Sequence, residues 1–164
     1  MNKPPNALSW LLLSVAIIVA DQLSKLAILA HFQLHESLPL IPSLLNLTLA
    51  FNDGAAFSFL QNAGGWQRWF FTVLAFGVSA VLVVWLRRTP RGDWRTALPL
   101  SLVVGGAIGN VIDRVRLGHV VDFIDVHYSG WFFPAFNVAD SAISVGAVLL
   151  LFFGLFGSKA PAGR

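Results

Sequence analysis

Two short motifs place an asparagine and an aspartate three residues apart, each beside an apolar run of the chain. They read GNVID at 109–113 and FNVAD at 136–140. A third carboxylate, that of Asp122, interrupts the apolar run 120–124. A carboxylate in such surroundings costs free energy unless it is paired or protonated. The aspartates are therefore the first candidates for chemistry.

A pair of carboxylates in a site of low dielectric can perform acid–base catalysis. The two cannot both ionise cheaply, so one keeps a proton while the other acts as a base. Such a pair can take a proton from water for attack on a peptide carbonyl and can protonate the leaving amine. Asp122 and Asp140 are separated by a chain reversal, so a hairpin could bring them face to face. The spacing also permits Asp113 with Asp140, or Asp122 with Asp125.

Other catalytic chemistries find little support. The chain has no cysteine, which excludes disulfides, thiol nucleophiles and thiolate metal sites. His35-Glu36 lacks the second histidine of the HExxH zinc motif, and the histidines are not at ligand spacing. The sequence contains neither a Gly-x-Ser-x-Gly elbow nor a phosphate-binding loop. We therefore expect no metal and no organic cofactor.

The elements that must position these carboxylates are membrane helices. The chain has 164 residues, of which 56% are hydrophobic and 12% charged, and its mean hydropathy is +0.71. Soluble domains are roughly 45–50% apolar and about 25% charged. Four apolar stretches approach the roughly 20 residues needed to cross a bilayer, at about 8–30, 66–86, 96–112 and 136–156. We predict a single membrane-embedded domain over residues 1–164.

The basic residues indicate how the four spans are oriented. The net charge is +3 and the pI is about 10.0, but the charges are too sparse and too segregated for nucleic-acid binding, which we exclude. They are concentrated before the first span, between the second and third, and after the fourth, at Lys3, Arg87, Arg88, Arg91, Arg95, Lys159 and Arg164. By the positive-inside rule these segments, and so both termini, are cytoplasmic. The connections 31–65 and 113–135 then face outward.

This topology brings polar residues of three spans close to the outer membrane surface. They are Asp21 and Lys25 in the first span, Asn110, Asp113 and Arg114 at the end of the third, and Asn137 and Asp140 at the start of the fourth. At about 1.5 Å rise per residue, Asp140 lies only some 6 Å from the start of its helix. Their structural interpretations are an ion pair between Asp21 and Lys25, pairing of Asp113 with an arginine, and interhelical hydrogen bonds made by the two asparagines.

The first outward-facing segment has the pattern of a small sheet. Large apolar side chains alternate through 45–52, the period of two that is typical of a strand. Asp53-Gly54 has the composition of a hairpin turn, and 56–59 resumes the alternation. We predict an amphipathic extracytoplasmic sheet at about 35–62. Three tryptophans suit anchors in the interfacial aromatic belt, namely Trp66, Trp69 and Trp131.

Five blocks, taken in order, resemble the successive motifs of the bacterial lipoprotein signal peptidase family, signal peptidase II. They are DQLSK at 21–25, NDGAAFS at 52–58, GNVIDR at 109–114, VVDF at 120–123 and FNVADS at 136–141. The similarity covers about residues 10–155. The resemblance implies an aspartyl endopeptidase of the bacterial inner membrane, with its active site near the periplasmic face. It further implies cleavage of the signal peptide from diacylglyceryl-modified prolipoproteins just before the lipidated cysteine.

The resemblance also implies roles for individual residues. Asp122 and Asp140 would form the catalytic pair. The residues that would shape the site or contact substrate are Asn52, Gly54, Asn110, Arg114 and Asn137. Asp21, Lys25 and Asp113 would support them, which makes Asp113 a structural anion. The partners would be prolipoprotein substrates and membrane lipids, and we expect a monomer. One departure, an acidic Asp53 at the variable second position of NDGAA, adds a charge beside the substrate groove.

Two other classes of function use the same residues. A proton-coupled small transporter would favour carboxylates near the midplane, broken helices and paired repeats, none of which is evident in the sequence. In a non-catalytic assembly factor the polar residues would only hold helices together.

Overall fold

The chain folds into four long helices and a small antiparallel sheet in the computed structural model, which describes residues 5–54 and 65–156. A short 3-10 helix, Ala7–Trp10, leads into the first long helix. The long helices are α1 (Leu11–His31), α2 (Trp66–Arg88), α3 (Trp94–Leu117) and α4 (Val138–Phe156). The strands are β1 (Ser37–Ile41), β2 (Leu45–Asn52), β3 (Val120–Tyr128) and β4 (Trp131–Phe132).

All four long helices are long and apolar enough to cross a membrane, which confirms the prediction of four spans. The third is longer than its hydropathy indicated, because α3 continues past 112 to Leu117. Asp113 is buried and ion-paired at this end, so its charge does not terminate the helix. The most apolar window of α3 is 67% buried, against 17–22% in the other three helices. It is therefore the central helix of the bundle.

Glycines let α1 and α4 approach α3 closely. A Cβ at Gly105 would lie 2.9 Å from the Cβ of Ile17 on α1, and one at Gly106 would overlap the carbonyl oxygen of Ala139 on α4. Such close backbone contact is how helices pack in lipid, where apolar side chains gain nothing by leaving their surroundings. The position of α4 against α3, and with it that of Asp140, depends on this contact.

The strands form one sheet in the order β1-β2-β3-β4, and all its pairs are antiparallel. β2 coincides with the alternating run 45–52, which confirms that prediction. β3 pairs with β2 so that Asp122 lies opposite Ala50. β3 and β4 lie in the connection that we treated as an outer loop, 113–135. The second strand expected at 56–59 lies outside the described residues.

The sheet is fastened to one end of the bundle by an apolar cluster. Ile28 of α1 packs there with Leu49, Val121 and Phe123 of the sheet. A second cluster lies at the 3-10 helix, and its members are Ala7, Leu86, Ala97 and Leu100. The tryptophans expected to act as interfacial anchors are all exposed, namely Trp66, Trp69 and Trp131.

Candidate active site

Asn137 is the residue that joins the two carboxyl groups of greatest interest. It directly precedes α4, and its Oδ1 accepts from the backbone N–H of Asp140 at 2.9 Å. The Asp140 carboxylate accepts in return from the backbone N–H of Asn137 at 3.3 Å. This reciprocal arrangement is a capping box, in which asparagine is a preferred N-cap. The Nδ2 of the same asparagine donates to Asp122 Oδ1 at 2.7 Å.

Asp140 is held from a second side by α3. Asn110 Nδ2 donates to Asp140 Oδ1 at 2.7 Å. Asn110 Oδ1 in turn accepts from Lys25 Nζ at 3.0 Å and from Asn137 Nδ2 at 3.2 Å. The amide of Asn110 is therefore fixed in orientation, with its donor side facing the carboxylate. Both asparagines make the interhelical hydrogen bonds that their positions predicted.

Asp122 lies on β3 with only 2% of its surface exposed. Its Oδ2 accepts from Asn52 Nδ2 at 3.0 Å. Burial, and after it the neighbouring Asp140 charge, raise the pKa of Asp122 from 3.8 to about 7. Hydrogen bonds from Asn52 and Asn137 and the charge of Lys25 act in the opposite direction on this pKa. Asp122 therefore exchanges its proton near neutral pH.

Beneath this pair lies a buried cluster of one cation and two anions. Lys25 Nζ is 2.8 Å from Asp21 Oδ2 and 2.7 Å from Asp113 Oδ2. The predicted ion pair of Asp21 with Lys25 is confirmed. The predicted pairing of Asp113 with an arginine is wrong. Its carboxylate is ion-paired with Lys25 and accepts hydrogen bonds from Gln22 Nε2 at 2.8 Å and from the backbone N–H of Val121 at 3.1 Å.

Arg114 contacts the segment that follows β2 and makes no ion pair with Asp113 among the described residues. Its Nη2 donates to the carbonyl oxygen of Gly54 at 3.3 Å, and its guanidinium lies 5.4 Å from the centre of the Phe71 ring. The backbone N–H of Gly54 donates to Asn52 Oδ1 at 3.0 Å. Asn52 and Arg114 thus hold the chain at Gly54 beside the aspartates.

A cavity of about 600 Å³ opens beside these residues. Its lining residues are Asn52, Gly54, Asn110, Arg114, Val120, Phe133, Pro134, Ala135, Phe136, Asp140, Ser141, Ile143, Ser144 and Val145. Apolar and aromatic walls with a few polar groups are typical of a ligand site. Asp140 is in the wall itself, whereas Asp122 stands behind Asn52, to which it is hydrogen-bonded.

The geometry distinguishes among the aspartate pairs that spacing left open. Asp122 and Asp140 share the side chain of Asn137. Asp113 is ion-paired with Lys25. Asp125 is three residues from Asp122 on the same strand, which turns it to the other face, where it accepts from Asn46 Nδ2 at 3.0 Å. Only the first combination places two carboxyl groups beside the cavity.

Several site residues carried no signal in the sequence. Gln22 donates to Asp113 from another helix, 91 residues away in the chain. An uncharged amide next to Asp21 gives no indication of such a role. Ser141 and Ser144 line the cavity from α4. Ser144 follows Asp140 by four residues, so it lies on the same helix face, and this spacing is the indication that the sequence offers of its place in the site. Over residues 5–54 and 65–156, no cluster of His, Asp or Glu could hold a metal ion.

Comparison with known proteins gives a consistent result. The model of a family described as signal peptidase (SPase) II matches residues 13–156. The chain is 54% identical over 155 residues to a lipoprotein signal peptidase of Xanthomonas campestris pv. campestris, covering 94% of this chain and 93% of that protein. It is 52% identical over 161 residues to one of Xylella fastidiosa, covering 97% and 96%.

Solved structures agree with the fold. A bacterial membrane enzyme determined by the in meso method at 2.3 Å resolution superposes with a TM-score of 0.82 at 31% identity, covering 100% of this chain and 99% of that one. A second bacterial membrane enzyme, determined by the same method at 1.9 Å resolution, gives a TM-score of 0.78 at 32% identity, covering 96% and 99%.

Proposed function

This chain belongs to the signal peptidase II family, and from that membership we propose that it removes the signal peptide from diacylglyceryl-modified prolipoproteins by means of Asp122 and Asp140. The scissile bond is the one just before the lipidated cysteine. The observation that carries the assignment of the pair is Asn137, which donates to both carboxyl groups beside an apolar cavity. Its Nδ2 donates to Asp122 and its backbone N–H donates to Asp140.

The proton positions follow from the surroundings of the two aspartates. We assign the proton to Asp122, whose pKa is raised to about 7 by burial and by the neighbouring Asp140 charge. We assign the base to Asp140, whose carboxylate accepts from Asn110 Nδ2 and from the backbone N–H of Asn137. Asp140 takes a proton from water, whose oxygen attacks the peptide carbonyl carbon while Asp122 donates its proton to the carbonyl oxygen. As the C–N bond breaks, Asp140 returns its proton to the leaving amine and Asp122 recovers one from the tetrahedral intermediate.

The residues around the cavity provide for the substrate. Ile143 and Val145 line it from within the membrane-spanning α4, where an apolar signal-peptide segment can lie. Asn52 and Arg114 present amide and guanidinium donors on the other side. Together with Gly54, these groups are placed to contact the backbone near the scissile bond. Asn110 and Asn137 orient the carboxyl groups, and the cluster of Asp21, Lys25 and Asp113 supports Asn110 from below.

The cellular setting follows from the distribution of charge. We place the enzyme in the bacterial inner membrane with both termini in the cytoplasm, because the arginines that follow α2 lie at the end of that helix remote from the sheet. Asp140, in the first turn of α4, then lies near the periplasmic face. Its partners are prolipoproteins and membrane lipids, and it acts as a monomer.

The test is cleavage of a synthetic diacylated precursor by purified protein, followed by mass spectrometry. Asp122→Asn and Asp140→Asn should each abolish the product cut before the lipidated cysteine. Asp125→Asn is the matched control, because it alters an aspartate of the same strand that is bonded to Asn46, and it should retain activity. Near wild-type cleavage by either Asp122→Asn or Asp140→Asn would contradict the assignment of the pair.

A further inference from the structure

A second cavity lies at the end of the bundle opposite the sheet. Its volume is about 460 Å³, and it is lined by Pro5, Asn6, Val84, Arg87, Arg88, Thr89 and Pro90. Backbone hydrogen bonds fix its rim, since the N–H of Ala7 donates to the Thr89 carbonyl at 2.9 Å and that of Arg91 donates to the Pro5 carbonyl at 3.0 Å. The N-terminal segment and the end of α2 thus form a built recess.

The charge at this recess is positive, and no acidic side chain within residues 5–54 and 65–156 forms an ion pair with it. Arg87 and Arg88, both exposed, end α2. Arg91 lies in the link to α3, and Arg95 lies in the first turn of α3. The acid of this link, Asp93, accepts from the N–H of Thr96 and serves as the N-cap of α3. Both ion pairs found among the described residues belong to Lys25. No carboxylate in that part of the chain therefore lies within 4 Å of any of the four guanidiniums.

The recess lies at the level where lipid headgroups meet acyl chains. Trp85 and Trp94 are each 48% exposed there, as tryptophans of the interfacial belt are. On α2, Val81 and Val84 precede Arg88 by seven and four residues, so all three share one helix face. Val81 and Val84 are exposed, and Val84 also lines the recess. An apolar stripe thus runs directly from the charged recess along the membrane span.

We propose that this recess binds one anionic diacyl phospholipid, with the phosphate on Arg87 and Arg88 and an acyl chain along Val84 and Val81. Guanidinium groups match phosphate oxygens in geometry and charge. Basic pockets between helix ends are a recurring form of phospholipid site. The site is independent of the peptidase chemistry, which lies at the other end of the bundle.

Native mass spectrometry of the purified protein in detergent tests this binding. The protein is titrated with dioleoyl phosphatidylglycerol or with dioleoyl phosphatidylcholine, which share acyl chains and differ in net charge. Arg87→Gln/Arg88→Gln removes the recess arginines. Arg91→Gln/Arg95→Gln is the matched control, because it removes the same charge from residues close in sequence that do not line the recess. Cleavage activity and thermal transitions of both variants report on folding.

The expected result is one bound phosphatidylglycerol at concentrations where phosphatidylcholine does not bind. Loss of charge-assisted hydrogen bonds should weaken that binding about 10-fold or more in the recess variant, and the control should resemble wild type. Equal weakening in both variants would overturn the proposal, since it would show diffuse attraction. Equal binding of the two lipids would also overturn it, as would displacement of phosphatidylglycerol by millimolar inorganic phosphate, which would show a site for soluble anions.

A folding defect of the double variant would not leave the question open. In that event Arg87→Gln and Arg88→Gln are titrated singly and compared with Arg91→Gln. Each recess substitution should weaken phosphatidylglycerol binding more than the control does. The reverse order would refute the assignment of the phosphate to these two side chains.

Discussion

Replacing Asp122 by asparagine should make the folded protein more stable at pH 8, although we expect it to abolish catalysis. Burial raises the pKa of Asp122 from 3.8 to about 7. Between these values the unfolded chain has lost the proton while the folded chain still holds it, so stability of the wild type falls as pH rises toward 7. Asparagine cannot ionise and is free of this loss.

The size of the effect follows from the change in pKa. About three pH units, at roughly 1.4 kcal/mol each, correspond to about 4 kcal/mol of destabilisation fully developed above pH 7. Below about pH 4 the Asp122 carboxyl is protonated in both the folded and the unfolded wild-type chain, so this destabilisation disappears. A protonated Asp122 and an asparagine each keep one oxygen that can accept from the amide of Asn52 or Asn137, and each have a donor group in place of the other oxygen, so their remaining hydrogen bonding is similar.

The assay is thermal unfolding of both proteins in one detergent at a series of pH values. The difference in melting temperature should be small near pH 4.5, should grow up to pH 7 and should then level off. A soluble domain of this size shifts by about 2–4 °C per kcal/mol, so a difference near 10 °C is expected at pH 8. Asp125→Asn controls for the change of side chain, because Asp125 is only half buried and faces Asn46.

Two results would refute this reasoning. One is a variant that is less stable than wild type at pH 8. The other is a stability difference that does not change with pH. Either would mean that Asp122 does not lie in the low-dielectric, anionic surroundings that its 2% exposure and its proximity to Asp140 describe.

Three further outcomes are expected. The value of kcat/KM should fall above about pH 7, as Asp122 loses the proton it must donate; a rate still rising through pH 8.5 would exclude it as the acid. Lys25→Met should destabilise the protein by about 3–5 kcal/mol in unfolding experiments, since two buried carboxylates lose their cation; a cost under about 1 kcal/mol would contradict the buried cluster. Gly106→Ala should lower cleavage at least about 10-fold, because the new Cβ would lie 2.8 Å from Ile143 Cγ1, below ordinary contact distance, and would displace α4. Gly77→Ala, which meets nothing within 4 Å, is its control and should cleave normally.

The sequence predicted the helices well because membrane spans are set by length and hydropathy, which are local properties. It predicted β2 because large apolar residues alternate there. The sequence did not predict β3, because Asp122, Asp125 and His127 interrupt its apolar residues. Its identity as a strand depends on pairing with β2. Hydropathy predicts an end of α3 near 112 because Asp113 and Arg114 are charged. The helix continues to Leu117 because Lys25 neutralises Asp113.

Tertiary partners were harder to predict than elements. Asp113 and Arg114 are adjacent, and neighbours on a helix point about 100° apart, so they do not face each other. The partner of Asp113 is Lys25, which lies on α1. The residues around Asp113 in the sequence do not indicate this contact. By contrast, the bond between Asn137 and the Asp140 N–H is a local cap that NVAD encodes by itself. The sequence therefore predicts hydrogen bonds between near neighbours in the chain, but not contacts between different helices of the bundle.

The N-terminus of α4 has a consequence for how the enzyme is made. Asp21 Oδ1 accepts from the N–H of Ala139, 118 residues later in the chain, at 2.9 Å. During synthesis α1 enters the membrane early, and the acceptor for this bond is already in place when α4 emerges. The same late helix brings Asn137 and Asp140. A partly synthesised chain therefore lacks both this donor and Asp140 of the proposed catalytic pair, and we expect hydrolytic activity to begin only when the last span has docked.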